Sequence, residues 1–422
     1  MLIRTRHREL LQTPSTRTAL PLLLALLTLP LLHSCCRRDK IRIDEERAIS
    51  LNVSSTGTKA VVGSLTDMVN QCYNGDNRIS GAGFGVYGYK KQADNTSARL
   101  FNDILVQPTS KTESPSWEYT PTRYWDSNPS VSYQFIAYWP YLTNDPDELN
   151  DPSDPYVSVP EAVNGDYSSK VLTIHNVPNW QPVTAAGTEM DFMTAAASGK
   201  YRSSDQNEAL AFSDGTVRFS FSHILSQLII KAYYVGAQTE VFVRGITLSL
   251  SDEDDTGDIL NGAGSDKSIS TDFRQRYDQD YASPLRAVPS GENANDVNIW
   301  DITPNPYTLW STSDQNEYRE VAYLNEEGDD DFEPSVIGHW LMVPHKWKNL
   351  VLTLDRTIGG NNGTGSATLT LGEPDNNDET LPGKTYVVTL MLENISGEGL
   401  TVQSIVVQDW DESAIDREVY NW

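Results

Sequence analysis

"TVRFSFSHILSQLIIKAYY", residues 216–234, carries the pattern that decides the fold. Over 217–222, a valine and two phenylalanines alternate with an arginine and two serines, and a longer apolar stretch follows. In an extended chain, alternation places every second side chain on the same side, so one face is apolar and the other polar. The stretch therefore predicts β-strand structure with one face against a core.

The same alternation recurs along the chain, whereas helical periodicity is scarce after residue 60. In "GFGVYGYK" (83–90), Phe84 and Val86 face one way. Tyr87 and Tyr89 face the other way. Short strands between polar loops favour β-sandwiches over βαβ units. The other predicted strands are "VSYQFIAYWPY" (131–141), "SSKVLTIHNV" (168–177), "RGITLSL" (244–250), "HWLMVPH" (339–345), "NLVLTLD" (349–355), "SATLTLG" (366–372), "KTYVVTLML" (384–392) and "TVQSIVVQDW" (401–410).

The length of 422 residues favours two domains over one. A polar stretch without strand pattern, "SGKYRSSDQNEALAFSDG" (198–215), separates two sets of strands. We therefore expect one sandwich over 60–205 and a second over 206–422. The long polar stretch 251–300 is interpreted as an excursion from the second sandwich, made of loops and a short helix.

The net charge of −26 excludes a nucleic-acid partner, because such a surface repels phosphate backbones. Two acidic runs, 251–258 and 325–333, lack the ligand spacing of an EF-hand loop and are interpreted as solvated loops. The three cysteines are too few for a disulfide framework, and only one histidine lies near the first two, which argues against zinc.

The N-terminal segment has the pattern of a secretory signal. Its apolar run "LPLLLALLTLPLL" (20–32) has 13 residues, fewer than the roughly 20 that a membrane-spanning helix needs, and basic residues precede it. The following Leu32-His33-Ser34-Cys35 resembles the lipobox of bacterial lipoproteins. The resemblance implies a signal peptide over 1–34, cleavage between Ser34 and Cys35, and lipid on Cys35. An ordinary cleaved signal is the alternative.

No catalytic motif stands out, so we expect no enzyme, no cofactor and no metal. "GAGFG" (81–85) is a lone glycine pattern. His223 is interpreted as a core histidine, and His339 and His345 lack a third ligand. A two-carboxylate hydrolase can be neither picked out nor excluded in so acidic a chain. Tryptophans in 117–139 could form a sugar-stacking platform, but core packing is the preferred interpretation.

The order of several motifs along the chain resembles that of fimbrillin-like proteins, the subunits of type V pili. These motifs are "GTKA" (57–60), "FGVYGY" (84–89), "WEYTPTRYW" (117–125), "YQFIAYWP" (133–140), "DFMTA" (191–195), "VRFSFSHILSQLIIK" (217–231), "GKTYVVTLML" (383–392) and "VVQDWDE" (406–412). The resemblance implies an all-β chain with two transthyretin-like β-sandwich domains in tandem and no catalysis. It also implies an outer-membrane lipoprotein that serves adhesion at a fimbrium, with other fimbrial subunits and a host or bacterial surface ligand as partners.

Subunits of this type are matured by a trypsin-like protease that removes a pro-segment, here 35–59, with the first strand. A strand of the next subunit then replaces it. Cleavage between Arg47 and Ala48 fits an arginine-specific protease and would remove "KIRID" (40–44). Cleavage between Lys59 and Ala60 follows the better strand, 48–55. Both sites stay open, as does an uncut protein.

The donor strand and the place in the assembly are also open. The last residues, 411–422, are less apolar than a good donor strand. A lipid-anchored tip or base subunit and an outer-membrane glycan-binding lipoprotein are therefore alternatives to a polymerising subunit.

Overall fold

The period-two pattern of the sequence becomes strands throughout the computed structural model of the chain. The structure describes residues 47–54, 65–94, 96–152, 154–158, 171–178, 180–183, 189–250, 270–276, 286–289, 307–325, 332–344, 350–369, 371, 380–393 and 399–410. The predicted signal peptide and most of the predicted pro-segment lie outside these residues.

Nearly all described elements are strands. In chain order they are β1 (Ser50–Val53), β2 (Tyr73–Asn74), β3 (Asn77–Arg78), β4 (Phe84–Lys91), β5 (Ser97–Pro108), β6 (Trp117–Tyr119), β7 (Ser132–Trp139), β8 (Tyr156–Ser158), β9 (Val171–Pro178), β10 (Trp180–Pro182), β11 (Met193–Gly199), β12 (Thr216–Phe219), β13 (Ser222–His223), β14 (Ser226–Val235), β15 (Val241–Leu250), β16 (Ser270–Arg276), β17 (Arg286–Pro289), β18 (Tyr307–Ser311), β19 (Arg319–Glu320), β20 (Ala322–Tyr323), β21 (Ser335–Met342), β22 (Leu350–Ile358), β23 (Asn361–Leu369), β24 (Lys384–Glu393) and β25 (Leu400–Asp409). The helix α1 spans Leu65–Gln71, and Pro146–Glu148 and Gln315–Glu317 form single 3₁₀ turns. The prediction of an all-β chain built from β-sandwiches is confirmed.

The first sandwich is built on a six-stranded antiparallel sheet in the order β13-β11-β7-β4-β5-β6. Its two faces enter different cores, as the alternation in β4 predicted. Phe84 and Val86 lie in a first core. Tyr87 and Tyr89 lie on the opposite face, in a second core. Both faces of this sheet are therefore buried.

Three elements outside the sheet close the first core: the helix α1 and the strands β1 and β12, which form a two-stranded parallel pair. Phe84 packs against Phe219 of β12 and against Phe221, with ring centroids 5.8 and 5.4 Å away. Cys72, directly after α1, is fully buried in the same core, and burial raises the pKa of its thiol to about 12.

The second core starts at the opposite face of the six-stranded sheet and continues into the second sandwich. There, one sheet has the order β10-β21-β14-β24-β25 and the other the order β18-β15-β22-β23. Alternate residues of β22 point inward, so that Leu350, Leu352 and Leu354 are fully buried. Residues Arg47–Trp422 form one compact unit.

Two sequence interpretations of this region are corrected. The pattern grouped 216–219 with the second sandwich, but β12 pairs with β1 and packs in the first core, and β13 pairs with β11. Alternation determines which face of a strand is buried but not which strand is its neighbour. The division into two domains, with its boundary near residue 205, stays a prediction.

The polar stretch 251–300 was expected to hold loops and a short helix. Its described residues form β16 and β17 instead, and β16 pairs with β9 in a four-stranded sheet, β17-β16-β9-β8. A segment from the second half of the sequence thus extends a sheet that begins in the first half. Polar composition did not prevent strand formation because β9 supplies a partner edge.

A buried carboxylate lies in β5. Asp103 has a positive φ of 52° and lies in a bulge opposite β4. It accepts hydrogen bonds from the Tyr138 hydroxyl and the Asn144 side chain. Burial nevertheless raises the pKa of Asp103 to about 6. Because this pKa lies above the unfolded value, the folded protein favours the protonated carboxyl. The contribution of Asp103 to stability is therefore fully present at low pH and is lost as the pH rises through about 6.

We expect Asp103→Asn to stabilise the protein by on the order of 2 kcal/mol at pH 7.5, and by less at pH 5, where the folded wild-type chain keeps its proton. Asparagine retains an oxygen that can accept from Tyr138. Urea unfolding at both pH values measures the effect, with Asp76→Asn at an exposed turn as the control. An equal effect at both pH values would contradict the assignment.

Candidate functional site

The first strand of the described chain is seated in the first core. Ile49, Leu51 and Val53 are each less than 5% exposed, whereas Ser50 between them is exposed. The prediction that these three apolar residues share one face is confirmed. Burying side chains of this size contributes roughly 1.5–3 kcal/mol each, so β1 is a substantial part of the core.

One side of β1 is bonded to β12. The two strands run parallel, with Leu51 opposite Val217 and Val53 opposite Phe219. The Ser50 N–H donates to the Gly215 carbonyl (3.0 Å), and the Ser54 N–H donates to the Phe219 carbonyl (2.7 Å). The strand is therefore held by backbone bonds, which do not depend on side-chain identity.

The other side of β1 is bonded near its start. We name Tyr119 and residues 123–125 the brace. The Ile49 N–H donates to the Arg123 carbonyl (2.8 Å), and the Trp125 N–H donates to the Arg47 carbonyl (3.0 Å). Between them, Ala48 forms an antiparallel bridge with Tyr124. The Tyr119 hydroxyl donates to the Ile49 carbonyl (2.7 Å).

An aromatic cluster fixes the brace in the core. The Trp125 ring stacks on Tyr201 and Phe212, with centroids 4.9 and 5.2 Å away. Its Nε1–H donates to the Gly215 carbonyl (3.1 Å), the same oxygen that accepts from β1. Gly215 has a φ of +76°, and a Cβ there would also collide with the Arg47 side chain. The position therefore requires glycine.

Together, β12 and the brace border a groove that β1 fills, here named the β1 groove. Its floor is apolar, formed by the first core, and its walls offer backbone donors and acceptors. Such a groove binds an extended chain with alternating apolar side chains. The described part of the groove is therefore suited to strand binding.

Of the predicted processing residues, the structure describes Arg47 and Ala48, both exposed and directly before β1. The others, Ser34, Cys35, Lys59 and Ala60, lie outside the described residues. The strand candidate 40–44 and nearly all of the two acidic runs also lie outside them.

The histidines predicted as core residues are buried where they are described. The His223 Nδ1 lies 2.7 Å from Asp191, and its ring stacks on Trp410 at 4.0 Å. Desolvation lowers the pKa of His339 to about 3, so it stays neutral. His345 lies outside the described residues. Within the described chain, no three metal-binding side chains converge.

Tryptophan and glycine motifs are used for packing. Trp117, Trp125 and Trp139 are all less than 10% exposed, so these three do not form a sugar platform. At Gly85 of the "GAGFG" motif, a Cβ would collide with the Tyr138 ring.

Over the part of the chain that is described, no helix is long and apolar enough to span a membrane. The brace was missed from the sequence, although "WEYTPTRYW" contains all of it.

We expect Leu51→Ala to destabilise the protein by about 2–4 kcal/mol, because it leaves a cavity in the first core. Ser50→Ala, on the exposed side of the same strand, should change the free energy of unfolding by less than about 0.5 kcal/mol. Urea unfolding compares the two. Equal effects would show that β1 does not pack in solution as it does in the structure.

Comparison with known proteins identifies the family to which the chain is similar. Residues 73–410 match the model of the fimbrillin-like family. No curated protein sequence matches significantly.

Solved structures resemble the chain only distantly. A candidate cell adhesion protein of Bacteroides uniformis is 14% identical, with a TM-score of 0.40, and the match covers 87% of this chain and 99% of that one. A second, from Bacteroides eggerthii, is 12% identical, with a TM-score of 0.39, over 86% and 95% of the two chains. The tip fimbrial protein Mfa3 of Porphyromonas gingivalis, C-terminally truncated, is 9% identical, with a TM-score of 0.30, over 86% and 100%.

At these TM-scores the solved structures add no weight to the assignment, which rests on the family match. That match covers most of the chain, and it agrees with a β-sandwich fold and a site suited to strand binding. The chain belongs to the fimbrillin-like family and is a structural, non-enzymatic subunit of a cell-surface fimbria.

Proposed function

We propose that this protein is exported as an outer-membrane lipoprotein, is matured by proteolysis, and joins a fimbria by donor-strand exchange at the β1 groove. The observation that carries the proposal is β1 itself, a short strand near the start of the chain that fills an apolar groove. Removing it would expose unpaired backbone groups of β12 beside the first core. A strand from a neighbouring subunit would pair with the backbone of β12 and cover the first core again. Such a head-to-tail contact extends into a filament.

The anchor in this proposal is Cys35. Lipoproteins carry two or three acyl chains, which bind a membrane far more strongly than one chain does. The outer membrane is favoured because residue 36, directly after the lipidated position, is cysteine and not the aspartate that retains lipoproteins in the inner membrane.

We expect Cys35→Ala to abolish incorporation of labelled palmitate and partition into detergent when the full precursor is expressed in a lipidating Gram-negative host. Cys36→Ala is the matched control, since it changes the neighbouring cysteine and leaves the lipobox intact. Loss of label in Cys36→Ala alone would contradict Cys35 as the anchor.

The two candidate cleavage sites would have different consequences. Cleavage between Arg47 and Ala48 would separate the anchor but leave β1 seated, because β1 begins after it. The Arg47 carbonyl also accepts from Trp125, and a serine protease must take that carbonyl into its oxyanion hole. Cleavage between Lys59 and Ala60 would instead disconnect β1 from the rest of the chain. We therefore infer that Lys59 is the site that opens the groove.

A polymerising subunit must also donate a strand, and the end of this chain is a poor match for the groove. β1 offers three alternate apolar side chains. In 411–422, Ile415 and Val419 share a face, but Arg417 lies between them on that face. This pattern favours the second candidate function, a tip or accessory subunit that accepts a strand from a different subunit.

We expect Lys59→Gln to remove the chain from high-mass fimbrial assemblies on producing cells, because β1 stays covalently attached. Arg47→Gln should leave incorporation unchanged. Sheared surface fractions, run unheated on SDS gels and probed with antibody, measure this. Normal incorporation of Lys59→Gln would contradict Lys59 as the opening site. High-mass ladders formed by the purified, cleaved chain alone would favour the polymerising subunit over the tip.

A further inference from the structure

We propose that one segment, residues 216–223, holds both the β1 strand and Trp410 near the end of the chain, so that a change at the β1 groove is transmitted to Trp410. We name residues 216–223 the shared segment. The inference rests on the proposed function for its biological meaning, because it concerns the same groove. Its physical basis is a set of contacts among described residues.

The first half of the shared segment is β12, which holds β1. All four residues of β12 pair with β1, and the Ser54 N–H donates to the Phe219 carbonyl (2.7 Å). Val217 and Phe219 also lie in the first core together with Leu51 of β1. Loss of β1 would therefore take both backbone hydrogen bonds and apolar contacts from β12.

The second half of the shared segment holds Trp410. The His223 ring stacks on the Trp410 ring, with centroids 4.0 Å apart and planes within 7° of parallel. The His223 Nδ1 also lies 2.7 Å from the Asp191 carboxylate. His223 and Trp410 are each only 3% exposed, so their contact is part of the packed interior. We name Asp191, His223 and Trp410 the clasp.

Backbone bonds fix the clasp where the two sandwiches meet. The Trp410 N–H donates to the Gly383 carbonyl (3.0 Å), and the Gly383 N–H donates to the Leu225 carbonyl (2.8 Å), two residues after the shared segment. His223 itself pairs with Met193 of β11, in the six-stranded sheet. Trp410 directly follows β25 of the second sandwich, so the clasp joins the end of that strand to the first sandwich.

Only Ser220 and Phe221 separate the two halves of the shared segment. Phe221 is fully buried in the first core, with its ring centroid 5.4 Å from that of Phe84 and 6.3 Å from that of Phe219. A short, continuously packed segment of this kind opens as one unit. Its two states are a seated one, with β1 paired and the clasp closed, and a displaced one, with both contacts weakened. Because both ends bias the same equilibrium, the coupling is reciprocal.

The coupling connects the state of the groove to the end of the chain. A filled groove keeps the clasp closed, whereas an empty groove loosens the point from which residues 411–422 continue. Conversely, a disrupted clasp weakens the hold on β1. In a fimbria, the end of the subunit would thus respond to whether a strand occupies its groove.

Fluorine NMR of the purified chain without its predicted signal peptide, carrying 5-fluorotryptophan, tests the transmission in the uncut protein. The Trp410 resonance is assigned with Trp410→Phe. We expect Leu51→Ala to shift or broaden the Trp410 resonance and to leave the resonance of Trp310, in β18, unchanged. Ser50→Ala, on the exposed side of β1, is the matched control and should change neither.

A double-mutant cycle measures the reciprocal effect. His223→Asn removes the ring that stacks on Trp410, Leu51→Ala weakens β1, and urea unfolding gives the equilibrium constants. We expect the double variant to raise the unfolding constant about fivefold less than the product of the single effects, whereas uncoupled sites multiply within about twofold. Leu51→Ala with Lys384→Gln is the control and should multiply, because Lys384 holds Asp409 at the same end of β25 through an exposed ion pair (2.7 Å).

An unchanged Trp410 resonance in Leu51→Ala, or single effects of Leu51→Ala and His223→Asn that simply multiply, would each overturn the inference. Val53→Ala, a smaller deletion in the same strand, replaces Leu51→Ala if that variant does not fold. Because both measurements use the uncut chain, their outcomes do not depend on whether Lys59 is the natural site or whether a fimbria forms. Failure of the proposed function would appear instead as normal incorporation of Lys59→Gln.

Discussion

Burial of both faces of the six-stranded sheet is the constraint on which the rest of the structure depends. Such a sheet needs a cover on each side, and the two covers differ. The four-stranded sheet and the second sandwich contribute one, through the second core. The other is made of α1 and the β1–β12 pair, so closing the first core depends on a strand from near the start of the chain. In a protein whose start is a candidate for processing, that dependence connects folding to assembly.

The sequence predicted the strands and their faces well, because both follow from local alternation. The two tyrosines and the phenylalanine and valine of β4 separate between two cores as the pattern indicates. Partner choice could not be predicted in the same way. β12 has clear alternation, yet nothing in its sequence specifies a parallel neighbour 166 residues earlier, the separation between Thr216 and Ser50. The pairing of β16 with β9 is a second case, in a segment that looks polar.

The candidate site was predictable only in part, for a related reason. The three apolar residues of β1 are visible as a pattern, and so is the lipobox before them. The bonds that hold β1 are made largely by backbone atoms of Arg123, Trp125 and Gly215, which leave no trace in residue identity. The exceptions are the Tyr119 hydroxyl and the requirement for glycine at 215. Neither can be recognised as part of a site until the strand it serves has been placed.

The buried thiol of Cys72 has a practical consequence. Cys35 and Cys36 precede both candidate cleavage sites, so a subunit cut at either site carries one cysteine, and that cysteine lies inside the first core. A thiol that is both inaccessible and strongly protonated reacts slowly with alkylating reagents. Its alkylation would therefore report the moments when the core is uncovered, with no surface thiol to contribute background. The rate of Cys72 alkylation therefore measures how often the β1 groove opens.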